Sequence, residues 1–165
     1  RRVPLFVALL LAVFPLVNTW LTSTVFRDAV LPGVTHAGQQ QVLAAAAPAY
    51  PVLRELNRHA GRQDQTYLLF CEDCKYHTLT RTWGDWYGDR SYFWLQQSTR
   101  SAADVVRKLK AAGFRWVVVN RDRAREGASV FKWEFSQSAF VQPDRELPGA
   151  RTFYSDRHFA VFQLW

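Results

Sequence analysis

From Val3 to Phe26 the chain carries no charged side chain, and Arg1-Arg2 and Arg27-Asp28 close the two ends. As a helix this stretch reaches about 36 Å at ~1.5 Å per residue, enough to cross a hydrocarbon core of ~30 Å. Leu5 to Val17 is nearly all Leu, Val, Ala and Phe. Pro4, Pro15 and Asn18 are tolerated in lipid where neighbouring helices or side chains satisfy the freed backbone groups. Trp20 stands where an interfacial aromatic anchor would stand. Residues 1–27 therefore read as a transmembrane helix. A secretory signal peptide is the competing reading, but no A-x-A motif follows the run closely and the run is long for such a segment. A buried core helix is disfavoured because the stretch is apolar on every face. The Arg pair precedes the span, and beyond Arg27 no Lys or Arg occurs until Arg54. The positive-inside rule then places the N-terminus in the cytoplasm and the larger C-terminal part outside the cell membrane.

Beyond the span the pattern shortens. Residues 28–48, with Pro32, Gly33 and Gly38 and then Gln39–Gln41 and Ala44–Ala47, read as a juxtamembrane connector passing into a short helix. Residues 49–165 read as one domain. Val52, Leu53, Leu56 and Ala60 recur at helical spacing and predict a helix over Tyr50–Ala60, with Pro51 in its first turn and Gly61 as its stop. Thr66–Cys71 is a short apolar run that predicts a buried strand, and Lys75–Thr80 also looks strand-like. Ser101 followed by Asp104 resembles a capping box with Asp in place of Glu, and Ala102, Val105, Val106 and Leu109 then give a helical face that Gly113 ends. Arg115–Asn120 is continuously β-branched at its centre, as a strand covered on both faces would be. With Thr66–Cys71 it predicts a right-handed βαβ crossover through the helix from Ser101 to Ala112. Arg151–Tyr154 and His158–Trp165 predict a closing hairpin. The expected fold class is α/β: an N-terminal transmembrane helix followed by a small mixed-sheet α/β extracytoplasmic domain.

Composition changes this picture little. The chain has no Met, which reads as a piece of a longer protein, and its formal charge is +7, with Arg1 and Arg2 among the cations. The remaining Arg and Lys are scattered among Asp and Glu, and no nucleic-acid motif is present, so a nucleic-acid partner is not expected. Seven Trp residues suit a domain held close to a membrane lipid surface.

Two clusters invite chemistry. Cys71-Glu72-Asp73-Cys74 at a strand end is compatible with a thiol redox site, a local disulfide or two idle thiols. Glu72 and Asp73 would raise the thiolate pKa rather than lower it. A zinc site on Cys71, Cys74 and His77 has only His59 nearby as a fourth ligand, so no metal site is assigned. The second cluster is Trp83-Gly84-Asp85-Trp86-Tyr87-Gly88-Asp89. Its rings could pack on the apolar faces of a sugar while its carboxylates accept from hydroxyls, which makes Trp83, Asp85, Trp86, Tyr87 and Asp89 candidate substrate-binding residues. The paired aspartates could also hold a divalent cation. The plainer reading packs these aromatics against the membrane portion or lipid. No Ser-His-Asp pattern, P-loop or dinucleotide fingerprint is present.

Read in order, these pieces resemble the C-terminal end of polytopic GT-C glycosyltransferases of the protein-mannosyltransferase-like group, which use polyprenyl-phosphate sugars. Tyr50-Pro51-Val52-Leu53-Arg54-Glu55-Leu56-Asn57 is similar to that family's Y-x-x-L-x-x-L-N helix. Tyr67–Glu72 with Tyr76 is similar to its V-L-x-x-G-E-x-R-x-x-Y strand, although Cys71 stands where Gly is usual and Cys74 near the usual Arg. Gly84-Asp85, Gly88, Leu109 and Gly113–Asn120 complete the match. The resemblance implies transfer of a sugar from a polyprenyl-phosphate carrier to an extracytoplasmic acceptor. It implies as partners the upstream transmembrane region of the same protein and a lipid-linked sugar or acceptor. It implies no cofactor in this fragment, and leaves room for a divalent cation in the parent protein. The family's catalytic aspartate lies in a loop this chain lacks, so no catalytic residue is carried over. The alternatives are a single-span anchored domain that binds glycans or a protein partner, and a membrane-tethered C-x-x-C thiol oxidoreductase.

Overall fold

The computed structural model describes residues 47–84 and 94–165, together with Gly38. The span Val3–Phe26 lies outside them, and among the described residues no helix is long and apolar enough to cross a membrane. Ala49–Trp165 form one compact unit.

Helix α1 (Tyr50–His59) buries Val52, Leu53 and Leu56 on one face, with Pro51 in the first turn, where its missing N–H has no intrahelical acceptor. The chain leaves the helix at Ala60, whose backbone is extended and whose N–H returns to the Leu56 carbonyl at 2.8 Å. Strand β1 (Gln65–Leu69) follows, then a 3-10 helix (Glu72–His77) and strand β2 (Arg81–Gly84). Helix α2 (Ala102–Ala111) leads to β3 (Trp116–Asn120), which runs directly into the short helix α3 (Arg121–Glu126). Two further 3-10 turns, Gly127–Val130 and Phe135–Gln137, precede the hairpin of β4 (Ala150–Ser155) and β5 (Phe159–Leu164).

The five strands make one mixed sheet in the order β2-β1-β3-β5-β4. β1 is parallel to both β2 and β3, while β5 runs antiparallel to β3 and to β4. β3 is therefore central, as its unbroken apolar run predicts. Alternation along the strands sends side chains to two cores. Tyr67, Leu69, Val117, Val119 and Phe162 meet Val105, Val106 and Leu109 of α2 and the rings of Phe131, Phe135 and Phe140. Leu68, Trp116, Val118 and Val161 meet Val52, Leu53 and Leu56 of α1 on the other face. The mixed-sheet α/β domain is the fold observed, with helices on both faces.

Two expectations need correction. Lys75–Thr80 is not a strand: the 3-10 helix occupies Glu72–His77, and pairing begins only at Arg81. A strand parallel to β1 cannot start until the chain has returned across the sheet, and such a return takes about a dozen residues. Residues 70–80 are that return. The α2 crossover, in turn, does not join β1 to β3 directly, because β2 intervenes in sequence and takes the far side of β1. The reciprocal cap at α2 is present in altered form. Ser101 Oγ accepts from Asp104 N–H at 3.2 Å, and Asp104 Oδ2 accepts from Arg100 N–H at 3.0 Å rather than from Ser101. Gly113, at φ +86°, then takes the left-handed turn that ends the helix.

Gly84 closes β2 at φ +124°, and a Cβ there would collide with the Leu68 carbonyl oxygen on β1. The parallel pairing of β1 and β2 thus depends on a residue without a side chain.

Candidate functional site at the carboxyl edge of the parallel strands

Because β1, β2 and β3 are parallel, their carboxyl ends share one edge of the sheet. In open α/β sheets this is the edge outside which ligands bind. Here it carries Phe70 and Cys71 after β1, Trp83 and Gly84 at the end of β2, and Asn120 leading into α3. The register of β3 with β5 sets Phe159 opposite Asn120, so the turn between β4 and β5 joins them.

Of the five substrate-binding candidates, Trp83 lies on β2, in register with Tyr67, with its side chain 60% exposed. Asp85, Trp86, Tyr87 and Asp89 lie outside the described residues. The Cys pair has a definite state: Cys71 and Cys74 form a disulfide, both are buried, and both belong to the core beneath α1. Among the described residues no group of three or more His, Cys, Asp or Glu could hold a metal ion. Phe70 adopts φ 57°, a left-handed conformation that costs a bulky residue energy. Its ring packs 5.9 Å from that of Phe135, over Gly127, where a Cβ would collide with it.

The polar groups of this edge were not legible in the sequence. Arg121 follows β3 and is 1% exposed. Its guanidinium donates to Ser155 Oγ at 2.7 Å, to the carbonyl of Phe159 at 3.3 Å, to the carbonyl of Ala139 at 3.3 Å, and to the carbonyl of Asp156. Burial opposes its charge and lowers its pKa, with Asp156 acting in the opposite sense. Asp156 organises the hairpin turn. Its Oδ1 accepts from the N–H groups of Phe159 at 2.6 Å and His158 at 2.7 Å, and its Oδ2 accepts from Tyr154 Oη at 2.7 Å. Burial pushes the Asp156 carboxyl up, but these hydrogen bonds outweigh it and hold the pKa below the usual carboxylate value. The bond to Asp156 raises the Tyr154 phenol in return, because the carboxylate favours the protonated phenol.

Nearer the surface, His158 Nδ1 lies 2.6 Å from Asp122 Oδ2, and Arg125 reaches Asp122 Oδ1 at 2.6 Å. The hydrogen bond to His158 is the main cause of the lowered pKa of Asp122. A carboxylate-oriented imidazole is the geometry of a general base. Among the described residues no hydroxyl or thiol is hydrogen-bonded to it. Arg121 bonds the turn and the Ala139 carbonyl through its two terminal nitrogens, while its buried Nε has no hydrogen-bond partner, and Asp156 bonds the backbone of the same turn. These bonds hold the turn and α3 together.

At the opposite edge, Asp64 accepts from Trp116 Nε1 at 3.0 Å, Gly61 N–H at 3.0 Å and Arg115 at 3.3 Å. Burial opposes its charge, yet these donors keep its pKa lowered. Asn57, the last residue of the motif on α1, uses both ends of its amide: Nδ2 donates to the His77 carbonyl at 2.7 Å, and Oδ1 accepts from Leu79 N–H at 2.8 Å. It binds α1 to the return between β1 and β2.

Residues 38–147, two thirds of the chain, match the family described as SF2091/S2213. No curated protein and no solved structure matches the chain. The match runs through α1, α2, α3 and β1, β2 and β3, and the chain belongs to the SF2091/S2213 family.

Proposed function

We propose that residues 49–165 are the extracytoplasmic, non-catalytic domain of a membrane glycosyltransferase that passes a sugar from a polyprenyl-phosphate carrier to an acceptor outside the cell membrane. The observation that carries the reading is the buried Cys71–Cys74 disulfide. Such bonds persist in oxidising compartments and are rare in the cytosol, which agrees with the side of the membrane that Arg1-Arg2 and the uncharged run Val3–Phe26 assign to the domain. The glycosyltransferase part rests on the resemblance of α1, β1 and the α2–β3 unit to the end of the GT-C group. Its partners are the membrane lipid, the upstream transmembrane region and the lipid-linked sugar or acceptor. The hydrogen-bonded state of Asp156 and Asp64 suits a domain that positions rather than reacts.

Substrate contact, in this reading, falls to the stretch Trp83–Asp89. The test uses the full-length polypeptide in membranes supplied with a polyprenyl-phosphate sugar. Trp86→Ala and Asp85→Asn should raise KM for donor or acceptor with the melting temperature unchanged. A lowered melting temperature at unchanged KM would make the stretch structural. Absence of any transfer by the unsubstituted polypeptide, across polyprenyl-phosphate sugars, would remove the glycosyltransferase reading itself.

A further inference from the structure

The return between β1 and β2 is tied at both ends. At its start Cys71 and Cys74 are joined in the core beneath α1, and Asp73 pairs with Arg123 at 3.6 Å. At its end the Asn57 amide donates to the His77 carbonyl at 2.7 Å and accepts from Leu79 N–H at 2.8 Å. Those two groups flank Thr78, and they are the pair that a parallel neighbouring strand would engage. Thr80 follows, buried, with its hydroxyl 2.7 Å from that of Thr66 on β1. Arg81 N–H then donates to the Asp64 carbonyl at 3.0 Å, and β2 runs with Trp83 beside Tyr67 and Gly84 beside Leu68.

That register has to be imposed from outside the strand. β2 is four residues long and none of them is buried, so no apolar face of its own selects one pairing over the next. A slip of one residue would turn Trp83 from the face it shares with Tyr67, the α2 side, to the α1 side. It would also move Gly84 away from the Leu68 carbonyl, beside which a Cβ has no room. We propose that Asn57 is a positioning residue for Trp83: by fixing residues 77–79 from α1 it sets the register of β2, and so the face on which Trp83 meets a sugar ring. Asn57 touches no sugar itself; it acts through the tie to His77 and Leu79. The inference rests on the reading of Trp83 as a substrate contact, in which the indole packs on the apolar C–H face of the sugar.

The experiment uses the full-length polypeptide in membranes, labelled with fluorotryptophan, with Trp83→Phe assigning the Trp83 fluorine resonance. Asn57→Ala and Thr80→Val cut two different ties of the same register. Val52→Ala weakens the core beneath α1 and removes neither tie, so it serves as the control for lost stability. A second Trp83 resonance is expected in Asn57→Ala and in Thr80→Val, and a single unshifted one in Val52→Ala. With a polyprenyl-phosphate sugar supplied, the first two should raise KM about tenfold at unchanged kcat, the worth of one to two hydrogen bonds that no longer hold the competent register. Val52→Ala should lower the melting temperature and leave KM alone. A single unshifted Trp83 resonance in Asn57→Ala, with a lowered melting temperature, would overturn the positioning role and leave Asn57 as a structural tie only. A displaced resonance at unchanged KM would overturn it too, by removing Trp83 from the substrate. If the unsubstituted polypeptide transfers no sugar, the glycosyltransferase reading fails, and the fluorine spectra alone decide whether Asn57 sets the register.

Discussion

Arg121 donates to Ser155 Oγ at 2.7 Å, joining the end of β3 to the end of β4 across the intervening β5. The two terminal nitrogens of its flat fork reach four converging oxygens, of which a lysine ammonium would reach fewer, while Nε is buried without a partner. Removing it leaves buried carbonyls without donors.

Arg121→Ala should therefore cost about 3–5 kcal/mol, the range for breaking a buried charged network from one side. Arg121→Lys should recover only part of that. Chemical denaturation of the three proteins side by side measures both. A loss under about 1 kcal/mol, as for an exposed ion pair, would show that the network holds nothing.

Acid should weaken the domain through its carboxylates. Asp156, Asp64 and Asp122 all have pKa values lowered in the folded state. Each is held below its unfolded value of about 3.9, so its contribution is complete above that pH and is lost as pH falls through the folded value. The melting temperature should be insensitive to these groups near neutrality and fall below about pH 4. Asp156→Asn should lower the neutral plateau and flatten the acid limb. An acid limb identical to that of the unsubstituted chain would contradict the assignment.

The disulfide closes a loop so short that its entropic contribution is only about 2 kcal/mol. Cys71→Ser with Cys74→Ser should lower stability by more than that, since two buried sulfurs are also exchanged for hydroxyls, and leave transfer by the full-length protein within a few-fold. A loss on the order of a thousand-fold, comparable to removing a nucleophile, would return the thiol-redox alternative to first place.

The sequence carries the periodic elements well, because their signals are local. The faces of α1 and α2, the cap at Ser101 and the buried run of β3 each depend on residues within a turn or two of one another. Lys75–Thr80 misleads because its alternation resembles a strand, whereas the parallel partner at Arg81 requires a return first. Arg121 is invisible for a different reason. In the run Asn120–Glu126 it is one charge among several, and only the turn at residues 155–159, brought beside it by strand pairing, makes it the buried one. Asp156 likewise reads as a hairpin-turn residue; its neighbours Tyr154 and Phe159 supply the donors, but the arginine beneath comes from β3's far end. Asn57 is the intermediate case: the motif on α1 singles it out, while its work on His77 and Leu79 depends on the tertiary fold.

The central claim is that residues 49–165 lie outside the membrane, anchored by the uncharged run before them. A reporter fused after Trp165, of a kind that matures only in an oxidising extracytoplasmic compartment, tests it most directly. The account predicts activity there and none from the matching cytoplasmic reporter, with Arg1 and Arg2 retained in the fusion. Activity of the cytoplasmic reporter alone would contradict the topology, and with it the glycosyltransferase reading.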